Sequence, residues 1–280
     1  MPIVTISRGT LSGGEALAQC LSEKSGYPAL GLEVIKDAAS LYGISESAIN
    51  EQLKQGPKVI ERLLGEKRRI YIIAVQSALA ERALKGDFIY HGLAGHFLLQ
   101  GVPGVLKVRL VAPLAYRVQK VMEKKRLTEG AAKKYIENVD EKRKRWTKFL
   151  YNADITDPLL YDAIINIETM TLDTACGMIM HALSQPEFKD TPEKHKAIEN
   201  FALACQVKTK LALNERTKGM ELEVEAREGK VRIWGKLYTT IGTFATGTRH
   251  AENEIINIAK SIPGVKEAKV ELETFPVAVE

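Results

Sequence analysis

Gly9-Thr10-Leu11-Ser12-Gly13-Gly14-Glu15-Ala16 has the G-x-x-x-x-G spacing of a loop that cradles phosphate. In such a loop, backbone N–H groups at a helix N-terminus converge on an anion, and the helix dipole favours its negative charge. Glu15 and Ala16 stand where that motif carries Lys and Ser/Thr. The spacing therefore leaves two readings open, a phosphate cradle and a plain strand-to-helix turn. Glu15 beside bound phosphate costs Coulomb energy unless it faces away or meets a metal ion.

Positive charge that the loop lacks is concentrated elsewhere. From Arg117 to Lys148 the chain has twelve Lys/Arg against five Asp/Glu, an excess larger than the +5 of the whole chain. A charge run of this kind is a solvated helical face, a phosphate-binding lid or a nucleic-acid contact. Only Tyr135, Trp146 and Phe149 interrupt it, which argues against a stacking platform for single strands. A guanidinium forks onto two phosphate oxygens, making Arg117, Arg126, Arg143 and Arg145 the candidates for a lid that closes over phosphates.

Other chemistry-bearing residues carry weaker patterns. His91 and His96 could serve as acid/base or metal groups, but their i,i+5 spacing does not share a helical face, and packing explains them as well. Asp140 and Arg143 are an i,i+3 pair on a helix, worth under about 1 kcal/mol as a surface ion pair. Asp162 either shapes a pocket or caps a turn. Cys20, Cys176 and Cys205 are scattered and odd in number, as reduced thiols are, rather than a disulfide framework or a zinc site. No metal site is expected.

These residues must be positioned by the elements around them. Ile3–Ile6 reads as a short buried strand, followed by the glycine loop and a helical rhythm at Leu17, Cys20 and Leu21 up to Gly26. Residues 57–85 read as a helix opened by Pro57, 88–90 as a second strand ending at His91-Gly92, and 105–111 as a third stopped by Pro113. The basic segment 114–150 is helical with a break at Gly130, 161–167 is a fourth strand, and 171–183 a helix. Strands alternating with helices predict an α/β domain with a parallel sheet covered on both faces. The loop and the second strand then both open at the carboxyl edge of that sheet, where such folds bind ligands.

Pro186, Pro192 and the charges from Glu187 to Lys194 read as a linker over 186–195. Beyond it the pattern changes to a helix at 196–215, strands at 221–226 and 230–238 turning at Glu228-Gly229, a helix at 247–262 and a strand at 265–273. Val231, Ile233, Gly235 and Leu237 alternate with Lys230, Arg232, Trp234 and Lys236, giving one buried and one wet face. This predicts a small α+β domain of order αββαβ, with Trp234 marking a contact surface. Length fits two domains: 280 residues exceed the common single-domain size. The chain is 45% apolar and 27% charged, ordinary globular usage that excludes wholly disordered and collagen-like classes. No apolar run of membrane-spanning length and no signal-peptide core is read, so a soluble, cytoplasmic protein is expected.

The stretch Thr5-Ile6-Ser7-Arg8 through Ser12-Gly13-Gly14-Glu15, with Arg117-Val118-Gln119-Lys120-Val121-Met122, Asp140-Glu141-Lys142-Arg143 and Asp157-Pro158-Leu159-Leu160-Tyr161-Asp162, resembles the cytidylate kinase-like family. The resemblance covers residues 1–185. It implies a P-loop nucleoside monophosphate kinase fold and transfer of a phosphoryl group from ATP, with Mg2+, to CMP or a related nucleoside monophosphate. That branch often carries a Ser-Gly-Gly loop instead of the lysine. The implied catalytic residues are Arg117, Lys120, Arg126, Asp140 and Arg143, and the implied nucleotide-binding residues are Arg8, Ser12, Gly13, Gly14, Glu15 and Asp162. Two positions depart from the family pattern: Leu93 follows Gly92 where the family has arginine, and Lys120 replaces a second lid arginine.

Residues 196–280 resemble a BON domain through Gly229-Lys230-Val231-Arg232-Ile233-Trp234-Gly235-Lys236-Leu237 and Pro263-Gly264-Val265. That resemblance implies a docking or regulatory module for a phospholipid, a small ligand or a protein partner. Residues 191–280 are nearly charge-balanced, which gives no strong attraction to anionic lipid. A second functional reading, motivated by Glu15-Ala16 and Leu93, is a catalytically silent nucleotide sensor signalling through the BON-like part. A third, a nucleic-acid binder, requires steeply salt-dependent binding and ranks below both.

Overall fold

A computed structural model describes residues 2–48, 65–92, 94–240 and 244–277. The expected helix start at Pro57 and the departure at Leu93 lie outside these residues. In chain order the elements are β1 (Ile3–Arg8), α1 (Gly14–Ser25), β2 (Ala29–Leu30), α2 (Glu33–Tyr42), α3 (Gly65–Lys85), β3 (Phe88–Tyr90) and the short α4 (Gly95–Leu98). They continue with β4 (Val105–Val111), α5 (Leu114–Lys125), α6 (Glu129–Tyr151), β5 (Ala163–Asn166), α7 (Leu172–Leu183) and α8 (Pro192–Leu213). β6 (Glu221–Arg227), β7 (Lys230–Thr240), α9 (Phe244–Lys260) and β8 (Glu267–Val277) complete them. The described residues fall into two compact units, 2–36 with 85–194, and 37–48 with 65–84, 195–240 and 244–277.

The first unit holds a sheet of order β2-β3-β1-β4-β5 in which each pairing is parallel, as the α/β reading expects. Val4, Ile6, Val108, Leu110 and Ile165 form its buried face against Leu17 and Leu21 of α1 and Ala175, Cys176 and Ile179 of α7. α1 stops at Gly26, which takes a left-handed φ of 76° while its N–H closes on Ser22 O at 2.9 Å. On the other face Phe97 of α4 stacks on Tyr151 of α6 with ring centroids 4.2 Å apart.

Three sequence expectations need correction here. The basic segment breaks at Arg126 rather than Gly130, because Arg126 takes the left-handed cap of α5 and Thr128 the extended N-cap of α6. The expected linker is partly ordered: residues 186–188 form a 3-10 turn, and α8 starts at Pro192, capped by Thr191 Oγ1 accepting from Lys194 N at 3.3 Å. The fourth strand is shorter than expected, because 158–160 form a 3-10 turn ahead of it.

The second unit contains the αββαβ segment in the order expected. β6 and β7 pair antiparallel through a turn with φ of 52° at Glu228 and 86° at Gly229, and β8 joins β7 in parallel. Val231 and Ile233 are buried with Val207 and Leu211 of α8 and Ile255 and Ile258 of α9. α3 belongs with this unit. Its Ile70 and Ile73 cluster with Ala212, its Ala80 with Ala202 and Cys205, and Arg82 forks onto Asp37 at 2.8 and 2.9 Å. Among the described residues no helix is long and apolar enough to cross a membrane.

Two glycines separate packing from propensity. A Cβ on Gly235 would stand 3.0 Å from Leu222 Cδ2 and closer still to the backbone oxygen of Glu221, whereas one on exposed Gly177, inside α7, meets nothing within 4 Å. Gly235→Ala is expected to destabilise by about 1–3 kcal/mol through overpacking, and Gly177→Ala to stabilise by about 1 kcal/mol through helix propensity. Denaturant unfolding of both variants measures the two signs.

Candidate functional site

The chain leaves β1 toward β2 on one side of the sheet and leaves β4 toward β5 on the other. Their following loops diverge, and the crevice this opens at the carboxyl ends of β1 and β4 is where open α/β sheets bind ligands. A cleft of about 670 Å³ lies there, lined by Arg8, Gly9, Arg109, Arg117, Asp140 and Arg143 among others.

Loop 9–13 is shaped from within. Buried Ser12 turns its hydroxyl toward Gly9 O at 3.0 Å and Leu110 O at 3.3 Å, fixing the loop to β4. Gly13 takes φ 84° as the N-cap of α1, a left-handed conformation that suits glycine. Two glycines lie where arginines cross. A Cβ on Gly9 would stand 2.8 Å from Arg117 Nη1, and one on Gly14 would collide with Arg8 Cδ. Leu11 packs on Val118, Val121, Ala132 and Ile136, the apolar seam of the α5/α6 hairpin, so that hairpin rests on the loop.

One carboxylate joins the two. Asp140 of α6 accepts from Thr10 N at 3.2 Å and Thr10 Oγ1 at 2.8 Å, and Arg117 Nη1 of α5 donates to its other oxygen at 2.5 Å. Arg143, one turn further on, donates to Arg8 O at 3.2 Å, and Arg8 Nη1 donates to His91 O. A loop N–H, a hydroxyl and a guanidinium thus hold an oxyanion already, supplied by the chain itself.

Burial pushes the Asp140 carboxyl up, but the hydrogen bonds from Arg117 and Thr10 outweigh it and leave it below the usual aspartate range. Burial lowers Arg143, as do the Arg117 and Arg109 charges, against Asp140 which raises it; the guanidinium stays cationic. His96 is buried against Phe97 and Tyr161, with ring centroids 4.2 and 4.9 Å away. Burial, then Arg109 and Lys107, push it down to about 4, so near neutral pH it is an uncharged packing residue.

The structure brings Arg8, Ser12, Gly13, Gly14, Arg117, Asp140 and Arg143 together around loop and cleft. It does not bring the others there. Lys120 pairs with Glu123 at 2.9 Å on the hairpin surface, and Arg126 caps α5 exposed to solvent. Exposed Glu15 lies 4.0 Å from Lys124, though its charge still acts on Arg8. Asp162 accepts from Lys107 N at 2.8 Å and ties β5 to β4. The sequence reading missed Arg109 and Thr10. The readable signal was Arg109 itself, which with Lys107 sets charge on alternate positions of a strand whose other residues are apolar.

Because Asp140 titrates lower in the folded chain than its ordinary value near 3.9, its stabilisation is complete above about pH 4 and is lost as pH falls through the folded value. Stability of the wild type is therefore expected to fall more steeply below about pH 4 than that of Asp140→Asn, measured by denaturant unfolding across pH 2–7.

Comparison with known proteins places residues 3–169 within the pattern of the "Cytidylate kinase-like family". The chain is 29% identical over 166 residues to the cytidylate kinase of Methanothrix thermoacetophila, covering 59% of this chain and 87% of that one. It is 28% identical over 171 residues to the cytidylate kinase of Methanosarcina acetivorans, with the same coverage of 59% and 87%. A crystal structure of an uncharacterized protein from Eubacterium ventriosum matches with TM-score 0.52 at 20% identity, over 66% of this chain and 100% of that one. That last likeness concerns the fold alone.

Proposed function

Because the chain belongs to the cytidylate kinase-like family, we propose that its kinase-like part transfers the terminal phosphoryl group of ATP to a nucleoside monophosphate, CMP or a close relative. The observation that carries this reading is the seat of Asp140 on Thr10 N–H and Arg117, a set of donors suited to a phosphate oxygen. A phosphate oxygen of the acceptor attacks the terminal phosphorus of ATP, the bond to the bridging oxygen breaks, and ADP leaves. The protein's contribution is to position both nucleotides and offset charge on the transferred group. Loop 9–14 cradles donor phosphates, Arg8, Arg117 and Arg143 neutralise them, and Asp140 occupies the Thr10 and Arg117 donors until phosphate displaces it. Lys120, Arg126, Glu15 and Asp162 take no part in holding phosphate in this reading.

Magnesium supplies further neutralisation of the phosphates when bound. ATP and nucleoside monophosphates are substrates of the cytoplasm, and that supports placing the protein there.

Residues 1–185 are the kinase-like part in this proposal, and 196–280 a BON-like module that docks on a phospholipid, a small ligand or a protein. The αββαβ order and the turn at Gly229 support that module. The silent-sensor reading draws on Glu15 and Ala16 and on the carboxylate already seated at the loop.

Assay of the full chain with ATP, Mg2+ and a panel of nucleoside monophosphates decides between the two readings. We expect one diphosphate as product. Arg143→Ala should lower kcat/KM by about 10- to 100-fold, the value of a charge-assisted contact, while Arg145→Ala, paired with Glu141 at 2.9 Å on the surface, leaves it unchanged. ATP binding without any diphosphate product establishes the sensor instead.

A further inference from the structure

Arg109 holds a position that no surface arginine has. It stands in β4 between buried Val108 and Leu110, in register with Ser7 of β1. Side chains alternate across a strand, so Arg109 points to the sheet face opposite that covered by α1 and α7. Its Nη1 donates to Ile155 O at 2.6 Å and to Tyr161 Oη at 3.0 Å, and the Tyr161 ring lies 5.3 Å from its guanidinium carbon. Tyr161 in turn donates to Ile155 O at 2.9 Å and sits 3.3 Å from Ser7 Oγ. One corner of the guanidinium is therefore fixed by two neighbours, Ile155 and Tyr161. Its Nη2 and Nε have no hydrogen-bond partner and it makes no ion pair among the described residues, although the Asp154 charge acts on it.

A half-buried cation held rigidly, lining a cleft, with two donors unused, is poised for an anion. That anion is not the one the loop binds. Asp140 touches Thr10 and Arg117 but not Arg109, so the seat it fills and the open side of Arg109 are separate positions. Arg143 lines the same cleft and feels the charge of both Arg117 and Arg109. Two anion seats lining one cleft with half-buried Arg143 suit a reaction that joins two phosphates.

We infer that Arg109 is the ligand for the phosphate of the acceptor nucleotide, with Tyr161 and Ile155 O orienting its fork, while the loop and Arg117 hold the donor. This assignment rests on the phosphotransfer reading above. It gives the cleft two phosphate subsites of different origin, one from backbone and lid and one from the sheet.

Calorimetric titration of CMP and, separately, of ATP into the full chain tests it. Arg109→Gln should weaken CMP binding by about tenfold or more and leave ATP within about twofold. Arg109→Lys keeps the charge without the fork and should lie between. Tyr161→Phe removes one orienting contact and should raise the KM for CMP more than it changes kcat. CMP affinity in Arg109→Gln within about twofold of wild type overturns the assignment, as does an equal loss for CMP and ATP. A wild type that binds ATP but no nucleoside monophosphate overturns the phosphotransfer reading and this assignment with it, whereas CMP binding indifferent to Arg109 overturns the assignment alone.

Discussion

Like charges crowded into a partly dry cleft must be offset, and in the first unit that constraint falls on one side chain. Arg8, Arg109, Arg117 and Arg143 converge at the carboxyl edge of the sheet, and of the carboxylates lining the cleft, Glu137, Asp140 and Glu141, it is Asp140 that pairs with one of them, Arg117. Its other oxygen takes the Thr10 N–H and hydroxyl. Through that carboxylate the α5/α6 hairpin is fastened to the glycine loop, with Leu11 as the apolar part of the same contact. Removing the charge would leave a cluster of guanidiniums facing each other, a cost that an incoming phosphate can also relieve.

The loop's own geometry follows from the same economy of groups. Ser12, Gly13 and Gly14 do not reach out as side chains: Ser12 turns inward to Leu110, and the two glycines leave room for backbone and for arginine stems. A P-loop lysine would have supplied one mobile cation, whereas here several arginines from β1, α5 and α6 surround the loop. Arginine cannot lose its charge and forks onto two oxygens, so the substitution trades mobility for fixed geometry.

Much of this was legible in residue order. Val105–Val111, bounded by Gly104 and Pro113, forms the strand it reads as, and the β6/β7 turn falls at Glu228-Gly229 because both residues take positive φ there. Arg117, Asp140 and Arg143 were legible as a group through the family resemblance. What stayed hidden depends on tertiary pairing. β2 is two residues long and exists because β3 pairs with it. The hairpin corner at Arg126 is a left-handed non-glycine residue that no propensity marks, although Thr128-Glu129 is a readable helix start. Thr191-Pro192 is another such start, obscured by a charged, proline-bearing run that reads as a linker. Arg109 escaped because the apolar residues of β4 draw attention to its core face rather than to Lys107 and Arg109 on its other side.

The central claim is that the loop and Arg117 form a phosphate seat which Asp140 fills in the free chain. Titration of ATP into wild type and Asp140→Asn at neutral pH tests it most directly, since asparagine keeps an acceptor for Arg117 but removes the competing charge. The account predicts tighter ATP binding by Asp140→Asn. Weaker binding would mean that the carboxylate supports the nucleotide rather than standing in for it, and would contradict the account.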